Sequence, residues 1–572
     1  MNIRIPKAVL HGCIFAAGLL PAFCADSAPA TAPATVELPK FVVEDTRLLP
    51  APEQWDYLSI PGYEILSSVS RRETKLFVRE LDEMQQVLSH IWPSVLKVPT
   101  GRPVTVLLCD KVDCFKDYLP AEKKADASAL NQVLTYNGVG AALVIDFSKT
   151  MLRSSTDDAR LTLIQEGGDS ISMTDEPRPG ELENEPLLAV RDSYLRLLLM
   201  KGGASSKGAM PEWMAEGLVQ ILGAVDFSQK TVEIGRVGSE TGPRRTDFNL
   251  RLEHRKLLPM EKLLGAKPEE GHLEQTWQAQ CYAFVHMCLF GEKLKFRAPL
   301  VAFSERSAKE GASEALFRQC FGEGYADMLE RVRGYLKNVR HQYNRFDPKG
   351  EPVYVKREIP EPQPATAAQV GRLRGEALCI VGEESSGLGF LIAPFQAGER
   401  DPELLAAIGL AEFRVGRSER ARKFLEAGVK GECKRAEAYL SLAQLRLDGA
   451  MLARKNQKPS RRELELVLPL LRQGVQMQPN YPDQVEFLAQ LLQGLEGPPE
   501  RSDFDFLVRA AGPFAMRPAL VYQVASVAVA GAFIPEANEW IARGEKLTRD
   551  PRGLAHFQKL RAQLAQGQAA KP

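Results

Sequence analysis

The sequence predicts an α+β protein, with a mixed lobe of strands and helices followed by an array built of helices alone. Two short apolar runs, PVTVLLC (103–109) and GAALVIDF (140–147), have the length and composition of buried strands. Residues 71–91 instead repeat apolar side chains with the 3.6-residue period of an amphipathic helix. Beyond about residue 370 the pattern is almost wholly helical, and part of it repeats every 34 residues.

The start of the chain has the residue order of a secretory signal peptide. Arg4 and Lys7 precede an apolar run over 8–20, and small residues follow it. We expect residues 1–25 to be removed and the protein to be exported, to the periplasm or out of the cell. Residues 26–54 are rich in Ala, Pro and Thr, which predicts a flexible lead-in. No later apolar run approaches the ~20 residues that cross a bilayer.

The charge balance gives no sign of a nucleic-acid partner. The chain holds 73 basic and 73 acidic residues, and the predicted signal removes two basic ones, so the mature net charge is 71 − 73 = −2. Basic residues cluster only over 243–256, where Asp247 and Glu253 are interspersed. This cluster is interpreted as solvated surface without chemistry.

Seven cysteines remain beyond the predicted signal, scattered rather than spaced as a disulfide framework. Cys109 and Cys114 can pair, because export permits disulfides, but buried free thiols are the expected state. Cys281 and Cys288 lie seven residues apart on an apolar helix, where core packing is expected.

Changes in residue composition along the chain also predict the domain boundaries. Helical patterns dominate from about 185 to 340, interrupted by a predicted strand at 230–237. Proline and charge concentrate over 346–369, as they do in linkers. The prediction is therefore one domain over 55–345, a linker over 346–369 and a helical domain over 370–572.

The helical domain contains a spacing of small and apolar residues. Three small or apolar residues have counterparts 34 residues later. Leu488 and Ala489 match the last two of the three in a further unit. This spacing resembles the tetratricopeptide repeat over about 401–495, although an insertion at 448–461 breaks the period. The alternative is a nonrepetitive helical bundle. The recurring residues are Leu405, Ile408 and Gly409, then Tyr439, Leu442 and Ala443.

Two helices are predicted at 185–201 and 211–222, the second beginning with PEWMAEGL. The pair resembles the gluzincin metallopeptidases of the peptidase MA type. In that family a helix bearing HExxH precedes a helix with a glutamate in a WxxEGL-like context. The resemblance implies a zincin-like fold for 55–345, in which two histidines and the distant glutamate bind zinc and the intervening glutamate activates water.

The departures from that motif decide the predicted chemistry. Asp192 stands where the first histidine belongs, Ser193 replaces the catalytic glutamate and Arg196 replaces the second histidine. Glu216 alone matches, as the third ligand. An arginine cannot become a metal ligand near neutral pH, and serine is a poor general base. We therefore predict no catalytic residue, no metal and no cofactor, with an Arg196–Glu216 ion pair in the former metal site.

Three further residues are possible parts of a cleft. Trp213 belongs to the WxxEGL-like context, and Tyr282 and His286 lie one turn apart on an apolar helix. In related peptidases this helix packs behind the active site and can offer a tyrosine or histidine to the reaction. Core packing is the expected role of His286.

These predictions favour an exported, non-catalytic pseudo-metallopeptidase with helical repeats that binds protein or peptide, such as envelope proteins. The first alternative is an active zinc-dependent peptidase whose ligands are non-standard, for instance Glu216 with His272 or His286. The second is a structural envelope protein that binds nothing specific.

Overall fold

The structure is a computed structural model. It describes residues 38–39, 54–91, 103–119, 132–136, 140–147, 191–199, 210–238, 247–265, 267–268, 271–338, 340–347, 351–453, 458–479, 481–515, 517–548 and 551–569. The predicted signal peptide lies outside these residues, as does the predicted lead-in apart from 38–39 and 54. Both ends of the predicted helix at 185–201 also lie outside them.

A six-stranded mixed sheet forms the N-terminal part. Its order is β4-β5-β3-β2-β1-β9; β2, β3 and β5 run parallel, and the other pairings are antiparallel. The two predicted strands are confirmed as β3 and β5, in which every residue is buried, as expected for unbroken apolar runs inside a sheet. The strands are β1 Asp56–Ile60, β2 Tyr63–Ser67, β3 Val104–Cys109, β4 Gln132–Tyr136, β5 Ala141–Asp146 and β9 Gln363–Pro364.

Helices cover both faces of this sheet. Helix α1 spans Arg71–Ile91, as predicted, and packs against the face that carries Val106 and Leu108 of β3. Leu107 points to the opposite face, because successive side chains of a strand alternate. There it meets α11, Ala367–Val381, the first helix of the C-terminal array. One sheet is therefore enclosed by helices from both predicted domains.

The hairpin of β1 and β2 was not among the sequence-based predictions. Ile60 pairs with Tyr63, so the turn consists of Pro61 and Gly62. Gly62 has a φ of +86°, which suits the third position of a type II turn, and proline suits the position before it. The Pro-Gly dipeptide was the available signal.

Further elements complete the N-terminal part. The strand predicted at 230–237 is confirmed as the shorter β7, in a small sheet of order β6-β7-β8. These elements are β6 Asp226–Phe227, β7 Val232–Ile234, β8 Asn344–Phe346, α2 Val112–Lys116, α3 at 191–199, α4 Glu212–Gly223, α5 Phe248–Leu252, α6 Met260–Leu263, α7 Gly271–Phe290, α8 Arg297–Glu310, α9 Glu314–Phe321 and α10 Tyr325–Leu336.

The C-terminal part is an array of helices, as the sequence predicts. No described helix is both long enough and apolar enough to cross a bilayer. After α11 come α12 Glu384–Gln396, α13 Pro402–Arg414, α14 Ser418–Lys430, α15 Ala436–Ala453, α16 Arg461–Met477, α17 Pro482–Gly494, α18 Arg501–Ala511, α19 Pro518–Ala530, α20 Ile534–Leu547 and α21 Pro551–Ala569.

Gly409 shows how closely neighbouring helices pack in this array. A β-carbon at Gly409 would lie 2.9 Å from the backbone nitrogen of Leu425, so α13 and α14 nearly touch. Ala443, 34 residues later, is fully buried. Small residues at these positions therefore allow close helix packing, as their spacing predicts. The tetratricopeptide assignment itself stays a prediction.

Ordered contacts span the predicted linker. Strand β9 pairs with β1, and the Ala365 amide donates to the carbonyl of Trp55 at 2.8 Å. Thr366 then caps α11 through a reciprocal pair of hydrogen bonds with Gln369. The described residues from 38 onward form one compact unit. The boundaries at 345 and 370 stay predictions, but the segment between them binds the sheet to the array.

Candidate functional site

Helix α3 is held against the sheet and α1 by two polar contacts. The Tyr63 hydroxyl donates to that of Tyr194 at 2.8 Å, and both side chains are buried. Arg191 forms an ion pair with Glu80 of α1 at 2.9 Å. Arg191 and Tyr194 lie three residues apart, so the two contacts hold the same stretch of α3 against β2 and α1. Asp192 and Arg196, two of the positions aligned with the zinc motif, face α4.

The WxxEGL-like residues of helix α4 do not all face the same neighbouring helices. Trp213 is buried between the rings of Phe284 and Phe303, with centroids 5.8 and 5.9 Å away. Gly217, one turn later, lies so close to α7 that a β-carbon would be 2.9 Å from the Cys281 carbonyl oxygen. Trp213 and Gly217 thus serve helix packing. Glu216 points instead toward α3.

The predicted Arg196–Glu216 ion pair is present. The Arg196 Nη2 donates to Glu216 Oε2 at 2.5 Å, and Gln220 Nε2 donates to Oε1 at 2.8 Å. The Glu216 side chain is only 2% exposed, whereas that of Arg196 is 38% exposed. Since a buried carboxylate is costly unless it is paired, the guanidinium supplies the compensating charge. Both carboxylate oxygens already accept hydrogen bonds.

The other two positions of the motif lie nearby on α3. Asp192 faces Gly223 at the end of α4, where its Oδ1 lies 2.6 Å from the position that a β-carbon would take. Ser193 is half-buried on the same helix. Residues 192, 196 and 216 therefore meet at the α3–α4 junction, with Arg196 and Glu216 in direct contact.

A polar cavity of about 320 Å³ opens beside this ion pair. Its lining continues the hydrogen-bond chain, because Arg251 Nη1 donates to Gln220 Oε1 at 3.2 Å. Arg255 donates to Thr276 and Gln275 on α7. Every lining side chain is polar, and charges of both signs are present. The lining residues are Asp192, Gln220, Arg251, Arg255, Gln275 and Gln278.

Most of this lining is not predicted from the sequence. The basic cluster at 243–256 is interpreted from the sequence as solvated surface without chemistry, yet the structure places Arg251 and Arg255 of that cluster on the cavity. Gln220 was detectable, because it follows Glu216 by four residues and shares its helix face. Arg251 and Arg255 could not be detected in this way, because no local sequence pattern shows that their segment folds back onto α4 and α7.

The three possible cleft residues lie in the core. Trp213, Tyr282 and His286 are each at most 1% exposed, and the cavity is lined by other side chains. His286 Nε2 lies 2.5 Å from the Gly235 carbonyl, and its Nδ1 lies 2.8 Å from the Tyr335 hydroxyl. A carbonyl only accepts, so Nε2 carries the proton and Nδ1 accepts from tyrosine.

Neutral His286 is consistent with its surroundings. Burial lowers its pKa to about 4, although the Gly235 carbonyl acts in the opposite direction. With both ring nitrogens engaged, a metal-ligand role would break one of these hydrogen bonds. The side chain of His272, the other histidine of the zinc alternative, lies outside the described residues.

Within the part of the chain that the structure describes, no group of three or more His, Cys, Asp and Glu side chains is placed to hold a metal ion. Glu216 is the carboxylate that the resemblance assigns to zinc, and it is paired with Arg196. No protein-family model matches the chain, and no curated protein matches it. The metallopeptidase resemblance therefore rests on the helix pair and its context.

The close approach at Gly217 leads to a stability prediction. Gly217→Ala should lower the free energy of unfolding by about 1–3 kcal/mol, because the new methyl group would overlap Val285 and the Cys281 carbonyl. Gly334→Ala is the matched control in helix α10, where a β-carbon meets no atom within 4 Å. It should gain up to about 1 kcal/mol from helix propensity. Urea unfolding measures both, and equal effects would contradict the packing role.

Buried His286 leads to a prediction about pH. Its folded pKa of about 4 lies below the usual histidine pKa of 6.5, so the unfolded chain binds more protons between these values. Its stabilisation is complete above pH 6.5 and is lost as the pH falls toward 4. From pH 7 to pH 5 we expect it to account for about 2 kcal/mol of lost stability.

The pH slope of the unfolding free energy, measured by urea denaturation, checks this. His286→Gln should flatten the slope even if it lowers stability at every pH. His90→Gln, at the exposed end of α1, should keep the wild-type slope. Burial also lowers the pKa of His341, so some slope should remain in the His286 variant. An unchanged slope in that variant would disprove the assignment.

Proposed function

We propose that the chain is an exported, non-catalytic protein that uses a metallopeptidase-like helix pair and a helical array to bind protein or peptide. One observation carries the non-catalytic part: Arg196 sits on the Glu216 carboxylate. A permanently charged guanidinium repels a metal cation and occupies the oxygen that a metal would need. Export is supported by the signal-like sequence at 1–25.

The polar cavity supports the binding part of the proposal. Glutamine side chains donate and accept hydrogen bonds as peptide groups do, and three of them line the cavity. The guanidinium groups of Arg251 and Arg255 suit a carboxylate, and Asp192 suits an ammonium group. A short peptide segment with charged groups of both signs matches this lining. The helical array offers a second surface, because stacked helix pairs form extended binding faces.

A hydrolysis assay tests the non-catalytic part. The purified mature chain is incubated with a quenched fluorescent peptide library, with and without added zinc, and its metal content is measured. We expect no hydrolysis and no stoichiometric metal. Zinc at one ion per chain, with hydrolysis abolished by Glu216→Ala, would establish the alternative zinc-dependent peptidase.

A binding assay tests the cavity. Fluorescence anisotropy with a labelled pool of random decapeptides should show saturable binding to the mature chain. Arg251→Gln/Arg255→Gln should weaken it at least tenfold, whereas Arg297→Gln, an exposed arginine at the start of α8, should not. Thermal unfolding checks that each variant is folded. Equal binding by both variants would exclude the cavity, and no binding by the wild type would contradict the proposed function.

A further inference from the structure

Two cysteine sulfurs meet at the carboxyl end of β3, on the face of the sheet that α11 covers. Cys109 ends β3 and Cys114 lies in α2, and their Sγ atoms are 2.7 Å apart. Non-bonded carbon atoms, which are smaller than sulfur, rest about 3.5–4.0 Å apart. A disulfide needs about 2.05 Å. The two sulfurs therefore need only a small further approach to bond.

The two thiols differ in access. Cys109 is fully buried, whereas Cys114 is only partly buried. The hydrogen bond with Cys114 and burial both raise the pKa of the Cys109 thiol. Cys114 is therefore the sulfur that a reagent in solution reaches first, and Cys109 lies behind it as the second partner.

We propose that Cys109 and Cys114 form a reversible disulfide that fixes the α2 segment to the end of β3. With glutathione disulfide as oxidant, the Cys114 thiolate attacks one of its sulfurs and releases one glutathione thiolate. The Cys109 thiol then loses its proton, attacks Cys114 Sγ and releases the second glutathione thiolate. The protein loses two electrons and two protons, and one glutathione disulfide becomes two thiols.

This bond acts at the junction between the sheet and the array. Phe115 and Tyr118, in the segment that α2 begins, are fully buried in the same apolar cluster as Leu373 of α11. Arg374 Nε donates to the Tyr118 hydroxyl at 2.7 Å, and its guanidinium lies 4.2 Å from the ring centre of Phe390 in α12. Fixing the segment at Cys114 therefore holds in place the residues that dock the array.

Thiol mapping of the full mature chain tests the bond. The protein is equilibrated with glutathione disulfide, denatured, alkylated with N-ethylmaleimide and digested for mass spectrometry. We expect Cys109 and Cys114 to escape alkylation until the sample is reduced. Cys281 and Cys288, buried on α7, should be alkylated with or without reduction. Complete alkylation of Cys109 and Cys114 before reduction would overturn the proposal.

Hydrogen exchange tests the consequence at the junction. In the wild type, reduction should speed amide exchange in α2 and in α11 while leaving α7 unchanged. Cys109→Ser/Cys114→Ser should exchange like the reduced protein and stop responding to reductant. If that variant does not fold, the comparison of the oxidised with the reduced wild type still tests the proposal. Identical exchange of α2 and α11 in both states would exclude a role in docking the array.

Discussion

Replacing Arg435 by alanine should lower the free energy of unfolding by about 3–5 kcal/mol, the cost of removing one partner from a buried ion pair. Arg435 stands before α15 and is 5% exposed. Its guanidinium contacts Glu376 of α11, with one contact at 3.1 Å, and Glu403 of α13 at 2.7 Å. Without it, buried Glu376 and partly exposed Glu403 lose their nearest guanidinium.

The network extends from the array into the sheet. Arg372 of α11 binds Glu64 of β2 through two hydrogen bonds, at 2.5 and 2.8 Å. Burial alone would raise the pKa of Glu64, but the hydrogen bond and charge of Arg372 outweigh it, and the pKa lies below its usual value. Glu64 is therefore charged at neutral pH. Because these charges join β2, α11, α13 and α15, loss of Arg435 should loosen the attachment of the array to the sheet.

Urea denaturation of matched variants checks this prediction. Arg543→Ala removes an arginine from an exposed helical pair with Glu539 and should cost under about 1 kcal/mol. Arg435→Met keeps most of the side-chain volume while removing the charge, so it should lie near Arg435→Ala if charge dominates. Similar costs for Arg435→Ala and Arg543→Ala would mean that the buried network contributes little.

Rebuilding the zinc motif should create a metal site. The triple variant Asp192→His, Ser193→Glu and Arg196→His places two imidazoles one turn apart on α3 and removes the guanidinium from Glu216. We expect one zinc ion per chain and a zinc-dependent rise in stability of about 2.7 kcal/mol at a free zinc concentration one hundred times Kd. The wild type should show neither.

The reasons for this expectation lie in the contact between α3 and α4. The side chain at position 196 already reaches the Glu216 carboxylate, and position 192 lies one turn away on the side of α4. Asp192→His/Ser193→Glu, which keeps Arg196, is the control and should bind no zinc, because the guanidinium remains. Metal analysis and thermal unfolding measure both variants. A folded triple variant without zinc uptake would argue against the metallopeptidase ancestry.

Strands and helices that are marked by short apolar runs or by helical periodicity could be predicted from the sequence. The apolar runs of β3 and β5 and the periodic helix at 71–91 are confirmed because burial and periodicity are encoded within a few neighbouring residues. The Arg196–Glu216 ion pair was also predictable. It followed from the resemblance to the metallopeptidase helix pair, which assigns Arg196 and Glu216, 20 residues apart, to one site.

Other features depend on residues that are distant in sequence. Strand β9 has two residues and pairs with β1 some 300 positions earlier, so no period marks it. The same is true of two ion pairs and of the cavity, because each brings together residues that are far apart in sequence. The ion pairs are Glu64–Arg372 and Arg435–Glu376, and the cavity is the one lined by Arg251. Their chemistry depends on which charged side chains are buried next to one another, and composition cannot show that.

The sequence by itself determined the positions of β3, β5 and α1, the helical character of the C-terminal part, and the residue types found at 192, 193, 196 and 216. Each of these is a property of residue types at short spacing. Only the tertiary structure decided that α11 covers the far face of the sheet and that the sulfurs of Cys109 and Cys114 meet. The reason is physical: a contact between two elements depends on how both pack against a third, and that packing is decided by the whole core.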